Sequence, residues 1–213
     1  MNYRSICIFV VCVVSALIGV SLSEPQNQSK AKNTRRNPKN RSPLRRDGVV
    51  PDIIDSVPKD KITVKYSSGL EVKFGNELTP TQVKTKPVVD WPADNSSYYT
   101  LVMTDPDAPS REDPIFGQYK HWLVINIPGN DVAKGRTLAK YKGSGPPQGT
   151  GLHRYIFLVY KQPEIINSTE ATVASNSLTG RPLFKVREFA KKNNLGEPAA
   201  VNYFQAKFDG TLG

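Results

Sequence analysis

Leu101-Val102-Met103-Thr104-Asp105-Pro106-Asp107-Ala108-Pro109-Ser110-Arg111 decides how this chain is read. An apolar run suited to a β-strand ends abruptly in a turn with two carboxylates and two prolines. A second apolar run follows, Tyr119-Lys120-His121-Trp122-Leu123-Val124-Ile125-Asn126-Ile127, closed by Pro128-Gly129. A third begins after a glycine- and proline-rich approach, Gly143-Ser144-Gly145-Pro146-Pro147-Gln148-Gly149-Thr150-Gly151-Leu152-His153-Arg154-Tyr155. The chain has two histidines in all, His121 and His153, and each stands at the start of one of these runs.

Side chains alternate across a strand. His121 is therefore expected to point with Tyr119 and Leu123, against Trp122 and Val124. His153 is expected to point with Tyr155, against Arg154. If the three runs are neighbouring strands, Asp105, His121 and His153 meet at one end of a sheet. A carboxylate accepting from an imidazole N–H fixes its tautomer and favours its charged form. The remaining imidazole N–H groups, with backbone N–H groups of the glycine-rich loop, can then donate to an oxyanion such as phosphate.

Three other readings compete. The histidines can be structural groups of a β core. Two histidines and an aspartate can also form a metal triad of an iron or zinc enzyme. No His-x-Asp/Glu or His-x-x-x-His spacing supports that, and no further acid is placed to act on metal-bound water. A Ser–His–Asp hydrolase lacks its Gly-x-Ser-x-Gly elbow, since Gly143-Ser144-Gly145 does not supply one. No cofactor is expected.

Outward from this centre the pattern stays β-rich. Ile62–Tyr66 and Glu71–Phe74 read as a hairpin around Ser67-Ser68-Gly69, and Val88-Val89 as a short edge strand. Val49–Asp55 suits a helical turn. Lys134–Gly151 reads as a long functional loop, and 167–181 as irregular polar chain. Val186, Phe189 and Ala190 mark one face of a short helix ending at Lys191-Lys192 before Gly196 and Pro198. Ala200–Phe208 reads as the last strand. Short strands without intervening helices indicate a mainly β, antiparallel sandwich with one or two short helices.

Residues 1–23 fit a secretory signal peptide: Arg4, then an apolar run to Ile18, then Ser21-Leu22-Ser23. Both cysteines, Cys7 and Cys12, fall inside it, so the exported domain would rely on its core alone. Residues 24–46 are polar and basic, with eight Lys or Arg against Glu24. They read as a disordered tail, with ordered structure starting near Asp47. That tail holds most of the formal charge of +10 and leaves 47–213 about +2. Nucleic acid is not an expected partner, because the domain is nearly neutral and the tail lacks interleaved aromatics. The basic tail suits peripheral contact with anionic membranes or polysaccharides. Four sequons, at Asn27, Asn40, Asn95 and Asn167, are candidate glycosylation sites of a secreted chain.

The Asp105–Arg111 turn, the strand ending Asn126-Ile127-Pro128-Gly129, and the Gly143–Pro147 loop leading to Gly151-Leu152-His153-Arg154-Tyr155 resemble the phosphatidylethanolamine-binding protein (PEBP) family. The resemblance covers about Val49 to Phe208, with Leu78–Val83 and Phe184-Lys185-Val186 fitting too. It implies a PEBP-like Greek-key antiparallel β-sandwich with a small, non-catalytic anion pocket. That pocket would take phosphate or a phospholipid head group such as phosphoethanolamine. The resemblance places Asp105, His121, Pro147 and His153 in its lining, Tyr119, Phe116 and Tyr155 at its rim or wall, and a cis bond at Ala108-Pro109. Where family members commonly carry tryptophan two residues before the pocket histidine, this chain has Tyr119. Animal cytosolic members end in a further helix over the pocket; this chain stops at Gly213 without it, which implies a more open pocket. The expectation is a secreted, monomeric binding protein. The alternative is an extracellular inhibitor or signalling modulator, for example of a serine protease, with the pocket regulatory.

Overall fold

The computed structural model describes residues 42–210. In chain order these form α1 (Pro43–Arg46), α2 (Val49–Asp52), β1 (Asp60–Lys61), β2 (Thr63–Lys65), β3 (Asn76–Glu77) and β4 (Val88–Asp90). Next come β5 (Tyr98–Asp105), β6 (Tyr119–Pro128), a 3-10 turn (Val132–Lys134), β7 (Arg136–Ala139), β8 (His153–Lys161), α3 (Val186–Lys192) and β9 (Ala200–Ala206). The presequence, most of the basic stretch and the sequons at Asn27 and Asn40 lie outside the described residues.

The main sheet runs β1-β9-β8-β5-β6-β7, with β3 also on β9. β5, β6, β8 and β9 are long because their apolar residues run nearly uninterrupted, the signature of strands covered on both faces. The pairings β5–β6, β5–β8 and β8–β9 are antiparallel, as expected. β1 and β3 instead join β9 in parallel, one after the other along its length.

One face of this sheet carries Leu101, Met103, Trp122, Val124, Phe157 and Phe204. They pack with Val64 and Val89 of the small β2–β4 sheet, which makes the sandwich. The other face carries Val102, Leu123, Ile125, Ile156 and Leu158 against Leu44, Val49, Ile53 and Val186 of the helical segments. Each such buried side chain contributes about 1.5–3 kcal/mol relative to exposure.

Three expectations change, and the helical turn expected at Val49–Asp55 forms as a shorter, kinked α2. Ordered structure starts before Asp47: α1 lies within the basic stretch because Leu44 is buried in the second core. The hairpin after Ile62 closes on a single bridge, Lys65 to Glu71, and β2 finds its full partner in β4. Residues 134–151 are not all loop, since β7 pairs with β6 as an edge strand. α2 is a turn in which Val50 is extended ahead of Pro51, as the residue before a proline prefers.

Candidate functional site

β5 ends at Asp105 and β8 begins at His153, and the two buried side chains meet across the sheet. His153 Nδ1 lies 2.8 Å from Asp105 Oδ2, and the other carboxylate oxygen accepts the Asp107 N–H at 2.7 Å. At the far side of the ring, Nε2 is 2.9 Å from the Thr150 hydroxyl, which itself donates to Pro147 O at 2.8 Å. Asp105, His153, Thr150 and Pro147 thus form one hydrogen-bonded chain. It holds the Gly143–Gly151 loop against the end of the sheet.

His121 arrives by a different device. β5 advances one residue from Met103 to Thr104 while β6 advances two, from Trp122 to Lys120. His121 is the extra residue of a β-bulge, and a bulge breaks alternation. His121 consequently joins Tyr119 on the Trp122 side of the sheet rather than the Leu123 side. Its ring centroid lies 5.0 Å from that of Tyr119 and 5.1 Å from that of Tyr155.

Of the two imidazoles it is His153 that takes Asp105, so His121 finds another partner. His121 Nδ1 faces the Lys142 carbonyl at 2.9 Å. A carbonyl only accepts, so Nδ1 carries the hydrogen and a neutral ring presents Nε2 as an acceptor. Burial pushes the His121 pKa from 6.5 down to about 4, with the Asp105 charge and the hydrogen bond to the Lys142 carbonyl opposing and the Arg181 and Lys142 charges reinforcing. At neutral pH this ring is therefore the neutral imidazole rather than the imidazolium. Nε2 has no hydrogen-bond partner among the described residues.

These groups line one cavity of about 400 Å³. Asp105, His121, His153 and Tyr155 are its buried floor. Tyr119, Pro147, Gly143 and Gly145 form the wall, and the cis Ala108-Pro109 bond borders it. Phe116, 49% exposed, stands at the mouth. Burial raises the Tyr155 phenol well above its ordinary value, and the neighbouring Asp105 charge adds to this while the Gly145 N–H opposes. The Tyr119 hydroxyl is buried without a hydrogen-bond partner among the described residues. Gly117 keeps the acidic turn in place, since a Cβ there would overlap the Pro106 carbonyl.

Four residues escape sequence reading. Lys142 lines the cavity. Leu178, 66% exposed, and Pro182 form the opposite lip. Arg181 anchors that lip: fully buried, it donates to the carbonyls of Lys120, His121, Lys140, Ala174 and Ser177. The usable signal was a lone leucine beside Gly180-Arg181 in an otherwise polar stretch. Among the described residues no group of three or more His, Cys, Asp or Glu is placed to hold a metal ion.

A family model described as phosphatidylethanolamine-binding protein matches residues 56–204. The chain belongs to the phosphatidylethanolamine-binding protein family. Its mainly β fold with few short helices is the fold of that family. The chain is 38% identical over 161 residues to "Putative odorant-binding protein A5" of Drosophila melanogaster, covering 76% of this chain and 77% of that protein. It is 43% identical over 160 residues to the 26 kDa secreted antigen of Toxocara canis, covering 75% of this chain and 61% of the antigen. Among solved structures, a carboxypeptidase Y inhibitor complexed with its cognate proteinase superposes with a TM-score of 0.68. That pair is 30% identical over 78% of this chain and 94% of the inhibitor.

Proposed function

We propose that this PEBP-family chain is a secreted binding protein whose cavity takes a phosphorylated head group such as phosphoethanolamine. The observation that carries the reading is the cavity floor: a buried Asp105–His153 pair beside a His121 Nε2 that has no partner among the described residues. A ligand with both acceptor oxygens and a hydrogen-bond donor suits this floor better than a bare anion. Lys142 and the N–H groups of the glycine loop favour phosphate oxygens, while the neutral His121 Nε2 accepts from a phosphate O–H or an ammonium N–H. No nucleophile or metal enters this account, so the proposed activity is binding rather than catalysis. Export is supported by the signal-like residues 1–23 and by the secreted antigen of Toxocara canis. Asn95 and Asn167 are exposed and accessible to glycosylation in an exported chain.

Titration with phosphoethanolamine, followed by NMR of the imidazole signals, tests the reading. His121 and His153 resonances should shift together and saturate. His121→Ala should weaken binding roughly tenfold, the worth of one hydrogen bond to a charged ligand. Unshifted resonances in the wild-type protein would remove the proposal.

A second reading rests on the inhibitor–proteinase complex. In it this chain inhibits an extracellular protease, and the cavity is regulatory. Inhibition assays against a panel of serine proteases, with wild type and His121→Ala, separate the two: inhibition retained in the variant places the interface outside the cavity.

A further inference from the structure

The cavity mouth opens onto a surface with two chemically distinct sides. On one side stand Phe116, Leu178 and Leu183, 49%, 66% and 60% exposed. They are held together because Leu183 N–H donates to Phe116 O and because Arg181 anchors the lip. On the other side is a separate cleft of about 420 Å³ lined by Lys84, Lys86 and Lys140, with Trp122 and Tyr141 beneath. Lys142 belongs to the cavity itself. The two sides adjoin: Tyr141 donates to Val83 O at 2.6 Å, and Gly143 sits against Lys84. The 174–183 segment spans both, with Ser175 in the lysine cleft and Leu178 at the cavity. None of the four lysines forms an ion pair within the described residues, whereas Lys61, Lys134, Lys161 and Lys207 all do.

We propose that this mouth is a membrane-docking face that seats the protein on an anionic phospholipid bilayer, with the apolar lip entering the head-group layer and the four lysines on the lipid charge. An exposed apolar patch beside unpaired cations is the pattern that lies in a membrane interface. Unpaired lysines lose no intramolecular partner on docking, and their attraction to anionic lipid acts only within about a Debye length of the surface. The geometry also explains how a head group still attached to its lipid would reach the cavity: the opening would face the layer in which head groups lie. The inference rests on the head-group reading for its purpose, but the docking face stands on its own residues.

Flotation of the full-length protein with phosphatidylcholine vesicles, with and without phosphatidylserine, tests it. Partition should require phosphatidylserine and fall as salt is raised. Lys84→Gln/Lys86→Gln/Lys140→Gln should lower partition by roughly fivefold per lysine, the worth of a cation near an anionic surface. Leu183→Ser should lower it further. Soluble phosphoethanolamine should bind the triple variant as it binds the wild type, which also certifies its fold. Equal partition of wild type and triple variant into anionic vesicles overturns the proposal, as does no partition while phosphoethanolamine still binds. If phosphoethanolamine leaves both histidine spectra unmoved while lysine-dependent partition persists, the head-group reading falls and the docking face survives.

Discussion

His153 and Arg154 are neighbours in β8, and each takes a carboxylate from the same turn, yet the two pairs do opposite jobs. Behind the sheet, Arg154 holds both oxygens of Asp107, at 2.9 and 2.7 Å, and its remaining fork reaches Asp52 Oδ2 and Asp47 O. That cluster rivets the N-terminal segment to the acidic turn. On the front, Asp105 and His153 also satisfy each other, but their neighbour His121 has one nitrogen without a partner among the described residues, beside a cavity. The contrast separates stability from recognition: full mutual satisfaction makes a rivet, and one group left short of a partner makes a site.

The sharpest way to break the comparison is to remove one half of the rivet. Arg154→Met strands the Asp107 carboxylate, which is 1% exposed. Losing one partner of a buried pair costs about 3–5 kcal/mol, and urea unfolding should read that loss. Phosphoethanolamine binding by the fraction still folded should be little changed.

The next effect belongs to His121 and appears as a pH dependence. The unfolded ring titrates near 6.5 and the folded ring near 4. Between those values the unfolded chain carries the extra proton, so stability falls as pH drops and is regained as pH rises toward 6.5. The difference is about 3 kcal/mol by pH 4. Stability curves of wild type and His121→Asn should converge on acidification, because the variant lacks this term. Sulfate, which does not titrate in this range, should bind more tightly as pH falls from 7 to 5, by at most about tenfold per unit. A flat sulfate profile would show that the ligand leaves His121 neutral.

Smaller still is Asp105→Asn, which keeps an acceptor for one of its two donors. A stability loss of about 1–2 kcal/mol is expected by calorimetry, with a proportionally larger loss of phosphoethanolamine affinity as His153 loses its orientation. Phe116→Ser, at the exposed mouth, should move stability by no more than about 0.5 kcal/mol. A stability loss above that would place Phe116 in the rivet's category rather than the site's.

Most of the sheet was legible because β5, β6, β8 and β9 are long apolar runs ended by prolines, glycines or polar turns. The convergence of Asp105, His121 and His153 on one cavity was legible from their positions at strand ends. The facing of His121 was not, because a bulge is a mismatch between two strands and neither strand carries it alone. β7 was hidden in a glycine-rich stretch, since Arg136-Thr137-Leu138-Ala139 is too short to show alternation. α1 was hidden by composition: one leucine among basic residues looks like solvent-facing chain until a core is found to receive it. Arg181 looked like one more surface cation, and only the geometry places it among carbonyls.

Arg181 grips its surroundings through main-chain oxygens alone. Every amino acid supplies that same atom, so residues 175–179 are free to change identity while the segment stays attached. The lip bearing Leu178 is thereby an interchangeable part. Exchanging that leucine for a bulkier or charged side chain should re-tune what the mouth admits without disturbing the sheet beneath it.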